Sequence, residues 1–319
     1  MTHLNLLGIL LINSIVFSQS QLAEPYLPGY LKEFPNVRDL AMSPDGNEIM
    51  FTAQSVMGNL SAIISLKKEN NVWGKLQIAP FSGKYFDLEP CFSKDGLRLY
   101  FVSTRPLFSH YNDPKDFDIW YTERQSLNSE WSEPKNMEYP INTKHGEFYP
   151  SLSKNGNLYF TRDNTTLKRK DDIYFSEYDN GGYSEPVALS DSINSEGYEY
   201  NAFIAPDESY LIFGCYNRTD GYGSGDLYIS YKIGNQWTKA KNMGDTINSD
   251  KMDYCPFVDT KTNTLYFTSK RDNTNAQFDN PVNLEELLIE LNRYDNGSSR
   301  LYKIDFSPDD PHEVLKKDD

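Results

Sequence analysis

The sequence predicts an all-β chain: a five-bladed β-propeller whose N-terminal strand closes the last blade, with one helical insert in blade five. Three observations predict it. A four-residue turn motif recurs along the chain, at Ser43-Pro44-Asp45-Gly46, Ser93-Lys94-Asp95-Gly96 and Ser153-Lys154-Asn155-Gly156, then more weakly at Ala205-Pro206-Asp207-Glu208 and Asp259-Thr260-Lys261-Thr262. The copies start 50, 60, 52 and 54 residues apart, and each period holds about four strand-sized runs, the signature of propeller blades. The fifth period stops after its third strand, while the N-terminal segment offers a fourth.

The blade unit is clearest in the third copy. Tyr149 to Ser153 reads as strand a, and the turn Lys154 to Asn157 follows, with Asn and Gly able to take positive φ. Leu158 to Thr161 is strand b, Asp172 to Ser176 strand c, and Tyr183 to Leu189 strand d. Equivalent b strands are Ile49-Met50-Phe51, Leu99-Tyr100-Phe101, Leu211-Ile212-Phe213 and Leu265-Tyr266-Phe267; c strands start at Ala62, Ile119, Leu227 and Leu301. Strand d has its own mark: Trp131-Ser132-Glu133-Pro134 matches Tyr183-Ser184-Glu185-Pro186, with Trp73 and Trp237 opening it elsewhere. Proline is tolerated on an outer edge, where a missing N–H need not pair. These aromatics are read as packing one blade on the next, with a ligand platform as the alternative. Leu22-Ala23-Glu24-Pro25 has the same spacing, so the N-terminus is expected to supply the missing strand and close the ring. One cooperative domain over residues 21–311 follows.

Composition limits the function classes. The 319 residues are 38% hydrophobic and 14% aromatic, with 23 tyrosines, which suits many short half-buried strands. A net charge of -15 repels nucleic-acid phosphates and anionic lipid heads, so neither is an expected partner. Leu4 to Phe17 is mostly apolar and Ser18 and Ser20 offer small residues for cleavage, so residues 1–20 read as a signal peptide and the protein as periplasmic or secreted. A buried N-terminal strand is the alternative. No segment reads as a membrane span. A disordered tail is expected over residues 312–319 and a monomer in solution. Cys91, Cys215 and Cys255 are read as small buried apolar residues. Four scattered histidines give no zinc spacing, so no metal and no cofactor are expected.

The run Pro90-Cys91-Phe92-Ser93-Lys94-Asp95-Gly96-Leu97-Arg98-Leu99-Tyr100-Phe101, followed by Asp118-Ile119-Trp120, resembles the WD-like propeller repeat of TolB-type proteins. The linking run Trp131 to Tyr149, through Ile141-Asn142-Thr143, resembles exported propellers of Bacteroidota. The resemblance covers nearly all the chain after the leader and implies the fold; members are mostly binding or scaffold proteins. The first blade departs from the pattern, since Val37 stands where the others have an acid.

Three sets of polar residues are expected on the face that carries the d–a and b–c loops. Asp87, Glu147, Glu199 and Asp253 precede strand a, the last three lying five residues after the Asn of an Ile-Asn-Thr or Ile-Asn-Ser unit (Asn142, Asn194, Asn248). Asp118, Asp172 and Asp226 open strand c. Arg105, Arg162, Arg218 and Arg271 follow strand b, with only Arg105 and Arg271 in one register. They read either as a charged channel mouth holding a polar ligand, a peptide end or a cation, or as ion pairs tying blade to blade; repetition favours the second.

Catalysis has less support. The sialidase box Ser-x-Asp-x-Gly-x-x-Trp is missing, and Gly221-Tyr222-Gly223-Ser224-Gly225 has Tyr where a nucleophile elbow needs its first Gly. Two carboxylates across the mouth would serve a glycosidase. The sequence therefore leans away from an enzyme, toward a non-catalytic envelope propeller that binds or scaffolds a protein or glycan, with a glycan-binding or glycan-hydrolysing propeller as the alternative. Asn283 to Asn296 reads as a helix within the insert 274–299, with a capping box from Asn283 to Glu286 and a stop at Asn296-Gly297. Its stripe of Leu284, Leu287, Leu288 and Leu291 is expected to pack inward, leaving Glu285, Glu290 and Arg293 outward, so that the insert borders the ligand site.

Overall fold

The computed structural model describes residues 22–107, 115–164 and 170–309; the expected signal peptide and C-terminal tail lie outside them. Five antiparallel sheets form the blades of a propeller, three of four strands and two, blades 1 and 4, of five, where the short strands Val72–Trp73 and Gln236–Trp237 also pair with strand c. Strands a, b and c are Asn36–Met42, Glu48–Gln54 and Ser61–Glu69 in blade 1, and Asp87–Phe92, Arg98–Ser103 and Asp118–Glu123 in blade 2. They are Gly146–Leu152, Leu158–Asp163 and Asp171–Ser176 in blade 3, and Glu199–Ile204, Tyr210–Tyr216 and Gly225–Ile233 in blade 4. Blade 5 has Asp253–Asp259, Thr264–Ser269 and Arg300–Asp305.

The a–b turns follow from side-chain chemistry. Ser43 Oγ accepts from Glu48 N and Ser93 Oγ accepts from Arg98 N, both at 2.9 Å, while each serine donates to the Asp two residues on at 2.6 Å. The Gly at the fourth position takes φ of 72° in blade 1 and 70° in blade 2, open to glycine without strain.

The outer strands are shorter than the sequence suggested. Strand d pairs over two residues in each blade: Gln77–Ile78, Lys135–Asn136, Val187–Ala188, Lys241–Asn242 and, in blade 5, Glu24–Pro25. The N-terminal segment does close blade 5, but the register differs by two residues from the expected match. Glu24 faces Lys303 and Pro25 faces Tyr302, so Pro25 occupies the place of Asn136, not that of Pro134. Tyr26 N then donates to Leu301 O at 2.9 Å, as Met137 N does to Ile119 O. The strand keeps its ladder because Pro25 lacks only an N–H that the outer edge leaves unused.

The core lies between blades, which is why modest hydrophobic content suffices. The aromatic expected to open strand d stands just before it, and each shares a core cluster with residues of the preceding blade: Trp131 with Met50 and Ile63, Tyr183 with Tyr100, Trp237 with Tyr159, and Trp73 with Tyr266 across the closure. A buried ion pair, Arg124 to Glu48 at 2.7 Å, joins blade 2 to blade 1. Among the described residues, no helix is long and apolar enough to cross a membrane. Cys215 and Cys255 are buried as expected; Cys91 is half-buried.

Two helices are present among the described residues. Helix α1 (Pro28–Leu31) buries Leu31 beneath the closing strand. Helix α2 (Leu284–Leu291) has the expected capping box, Glu286 N to Asn283 Oδ1 and Asn283 N to Glu286 Oε2, both at 3.0 Å. It ends at Leu291, earlier than the expected Asn296. The apolar stripe is not packed inward: Leu284 is 71% and Leu291 59% exposed, and Leu287 and Leu288 are exposed as well. Glu290 instead turns back to accept from Asn275 N at 2.6 Å, and Arg293 pairs with Asp295 at 3.0 Å. The insert is rooted by Tyr294, whose Oη donates to the carbonyls of Tyr26 and Leu301 at 3.1 and 3.0 Å.

Candidate functional site

The acid and arginine sets predicted from sequence form one repeated joint. Arg105, Arg162, Arg218 and Arg271 pair with Asp87, Glu147, Glu199 and Asp253 at 2.8, 3.0, 2.9 and 3.2 Å. Each pair lies within one blade. The blade-to-blade tie comes through the same guanidinium, which also donates to a linker carbonyl: Phe81, Ile141, Ile193 or Ile247. The acid is capped in turn by a linker hydroxyl, Ser82, Thr143, Ser195 or Ser249, at 2.7–2.8 Å. The Asn of each Ile-Asn unit binds both backbone groups of a strand c residue, Asn142 on Ile119, Asn194 on Ile173 and Asn248 on Leu227.

All four acids are buried. Glu147 is pushed up to about 7 by burial, against the lowering effect of Thr143 and Arg162. Asp118, Asp172 and Asp226 are also buried. Asp118 is held by Lys115 and Asn136 at 2.8 and 2.7 Å, Asp226 by Tyr222 N at 2.9 Å, and burial raises both. In the first joint Val37 takes the acid's place and Arg300 reaches the Phe34 and Pro35 carbonyls instead.

A second set of residues, not singled out from sequence, meets on the propeller axis. Strand a of every blade carries a bulge, between Arg38 and Ala41, Leu88 and Cys91, Phe148 and Ser151, Tyr200 and Phe203, and Tyr254 and Phe257. The residue at the break has left-handed backbone in all five: Asp39 (φ 59°), Glu89 (57°), Tyr149 (49°), Asn201 (53°) and Cys255 (52°). None is glycine, so each carries conformational strain that the surrounding structure must hold, a pattern that gathers at functional sites. A bulge leaves an N–H out of the ladder and re-aims its side chain. A threonine of the preceding blade catches that N–H in three cases: Thr268 for Asp39, Thr52 for Glu89 and Thr161 for Asn201, at 3.4, 3.1 and 3.1 Å. The recurring Phe51-Thr52, Phe160-Thr161 and Phe267-Thr268 pairs are the sequence signal that could have located this ring.

The axial side chains bind one another. Arg38 Nε donates to Asp39 Oδ1 at 2.7 Å and its Nη2 to Glu89 Oε1 at 2.8 Å. Cys255 Sγ donates to Asp39 Oδ1 at 2.7 Å, and Asn201 Nδ2 to Glu89 Oε1 at 3.2 Å. Tyr149 N donates to Glu89 Oε2 at 2.7 Å, and Tyr149 Oη crosses to Pro256 O at 2.9 Å. Two carboxylates share one guanidinium. Burial pushes Glu89 up to about 7, with Arg38 opposing it, and although burial also works against Arg38, Asp39 and its neighbours hold that guanidinium charged.

Above this plug, on the face of the d–a and b–c loops, lies a cavity of about 190 Å³. Arg38 and Glu89 reach it, and Phe148, Tyr200, Tyr216 and Tyr254 contribute aromatic walls. Tyr200 and Tyr216 rings lie 4.8 Å apart, and Arg38 sits 5.1 Å from the Tyr254 ring centre. Gly214 is required here, because a Cβ would meet the Tyr200 ring at 2.6 Å. Tyr200 Oη and Asp39 Oδ2 are buried without a hydrogen-bond partner. Asp171 lines the same cavity and is pushed up to about 6 by burial and then by Asp163 and Asp172. Among the described residues no group of His, Cys, Asp and Glu is arranged to hold a metal ion.

This architecture occurs in solved structures. The chain superposes on the catalytic domain of a Coprinopsis cinerea GH62 α-L-arabinofuranosidase with a TM-score of 0.53 and 10% identity, covering 89% of this chain and 96% of that one. A GH43 endo-arabinanase from Bacillus licheniformis gives 0.51 and 12%, over 86% and 95%. TolB from Acinetobacter baumannii gives 0.46 and 14%, over 74% of this chain and 49% of TolB, so the chain spans about half that protein's length. At these identities the likeness is one of fold. No protein-family model and no curated protein matches the sequence.

Proposed function

We propose that this is a non-catalytic binding propeller of the cell envelope, exported by its N-terminal segment, whose ligand enters the tyrosine-lined mouth above Arg38. The observation that carries this reading is the axial cluster. Two of the five strained residues, Asp39 and Glu89, hold a single arginine between their carboxylates beneath aromatic walls, and one buried polar atom lining the cavity, Tyr200 Oη, has no partner in the chain. Leaving such an atom unpaired costs about 1–3 kcal/mol, which a ligand's polar group would offset. The aromatic walls suit the body of one side chain or one sugar ring, and Arg38 and Tyr200 Oη suit its polar groups. Capture of a peptide segment of an envelope protein, or of a glycan end, fits this site.

Binding is favoured over hydrolysis because Arg38 engages both Asp39 and Glu89, whereas a glycosidase needs one carboxylate as acid and a second as base or nucleophile. The hydrolase reading keeps one supporting observation: Asp171 and Glu89 line one cavity and both are raised. Panels of peptides and oligosaccharides, assayed for binding and for turnover with purified protein, separate the two. Saturable binding without turnover, weakened about tenfold or more in Tyr216→Ala and Arg38→Met, is expected. Turnover abolished by Asp171→Asn would overturn the binding reading.

A further inference from the structure

The opposite end of the channel carries a second cavity, larger and of different chemistry. It has a volume of about 420 Å³ and lies below the axial plug, between the a–b turns of the blades. Tyr149, spanning from blade 3 to Pro256 of blade 5, helps form its floor and separates it from the tyrosine-lined mouth. Its walls are apolar for a reason visible in the chain. In three blades the residue after the axial one is proline, at Pro90, Pro150 and Pro256, and a prolyl nitrogen presents no N–H to the cavity. Phe203 and Phe257, packed edge to face at 5.9 Å, and Leu152 complete an aliphatic and aromatic wall.

The mouth of this cavity is basic. Lys94, Lys154 and Lys261 line it and are exposed, in a chain whose net charge is -15. The carboxylates of the same turns are closed onto their own backbones and hydroxyls. Asp95 accepts from Ser93 Oγ at 2.6 Å, and Asp259, at the rim itself, accepts from Lys261 N at 3.0 Å and Thr262 Oγ1 at 2.8 Å. A largely apolar pocket with three ammonium groups at its mouth is complementary to a molecule with an apolar body and one anionic end.

We infer that this cavity binds a soluble amphipathic anion of the acyl-carboxylate class, its chain inside the prolyl wall and its carboxylate among Lys94, Lys154 and Lys261. The site is on the face opposite the mouth discussed above and does not depend on what that mouth binds.

Titration calorimetry of the full chain with dodecanoate, and in parallel with 1-dodecanol, tests the assignment. One equivalent of dodecanoate is expected to bind saturably. Leu152→Trp, which fills the cavity, should abolish binding while the melting temperature holds; if that variant does not fold, Met42→Trp fills the same space from blade 1. The triple variant Lys94→Gln, Lys154→Gln, Lys261→Gln should weaken dodecanoate about tenfold, as expected for three exposed charges, and leave dodecanol unchanged. Absence of dodecanoate binding, or binding that a folded cavity-filling variant retains, overturns the site. Equal loss of dodecanol and dodecanoate in the lysine variant overturns the anion. Binding to phosphatidylglycerol vesicles without binding to free dodecanoate overturns the soluble ligand in favour of a bilayer. Self-association abolished by Leu284→Glu with Leu288→Glu would mean that helix α2 of a second copy fills the pocket, and overturns it too.

Discussion

Removing the N-terminal segment as far as Leu31 tests how the ring is closed. The comparison is between a chain beginning at Leu22 and one beginning at Lys32. The longer chain pairs Glu24 and Pro25 with Lys303 and Tyr302, buries Leu31 completely and buries all but 8% of Tyr26. Losing those two side chains from the core costs about 1.5–3 kcal/mol each. The edge-to-face contact between Tyr26 and Tyr266, at 4.8 Å, adds about 1 kcal/mol. Leu301 O also loses Tyr26 N, and Tyr294 Oη loses one of its two acceptors. The Glu24 to Lys303 ion pair is exposed and contributes little. The total is about 5 kcal/mol, which for a domain of this size lowers the melting temperature by about 8 °C. Circular dichroism melts of the two chains at equal concentration read it directly. A difference within about 2 °C would refute the reasoning, because the blade 5 edge would then be stable without its outer strand.

Two further outcomes follow from burial. Glu89 is pushed up to about 7, so it holds its proton more tightly folded than unfolded. Its neutral form stabilises the fold fully below about 4.5, and that contribution declines as the pH rises from there through 7, by up to about 3 kcal/mol. Urea unfolding of Glu89→Gln between pH 4.5 and 7.5 should therefore show a smaller fall in stability than the parent; an unchanged pH slope would mean that Glu89 is already ionised beside Arg38. For helix α2, the double change Leu284→Glu with Leu288→Glu should alter stability by less than about 0.5 kcal/mol, since neither side chain is buried, and a loss above about 2 kcal/mol would show the stripe packed after all.

What could be read from the sequence was what repeats locally. The Ser-x-Asp-Gly turns announce themselves because their hydrogen bonds lie within five residues, and the Ile-Asn-Thr unit because its acid is four or five residues away. The closing strand was legible as a strand but not in register: spacing matched Pro25 to Pro134, whereas pairing is set by which backbone groups face strand c, and that places it two residues further on. The Leu stripe of α2 implied burial because a periodic apolar face normally has a partner; nothing in periodicity says whether that partner is in the same chain. The axial ring was the least visible. Its five members share a backbone conformation and not a residue type, and a bulge is a property of two paired strands, so no single segment reveals it.

That contrast bears on where the function lies, because symmetry separates the two kinds of position. At the joints, four blades use acid, arginine and hydroxyl in the same arrangement, as a structural need met repeatedly. At the axis the same five backbone sites carry Asp39, Glu89, Tyr149, Asn201 and Cys255. The support beneath them is uneven in a way that can be tested. Thr52, Thr161 and Thr268 each catch the bulged N–H of the next blade, but the equivalent residue of blade 2 is Val102, which pairs with Leu88 as Thr52 pairs with Arg38. Tyr149 N therefore turns to the Glu89 carboxylate. If Glu89 is retained partly for that task, a hydroxyl at Val102 should relieve it. In the parent, Val102→Thr is expected to be neutral or destabilising by about 1 kcal/mol, since it buries a hydroxyl whose intended donor, Tyr149 N, is already bonded to Glu89. In a Glu89→Leu background the same change should recover about 1 kcal/mol by supplying Tyr149 N with an acceptor, a favourable coupling read from a double-mutant cycle in urea. Additive effects would refute it, and would mean that Glu89 does not support the Tyr149 backbone.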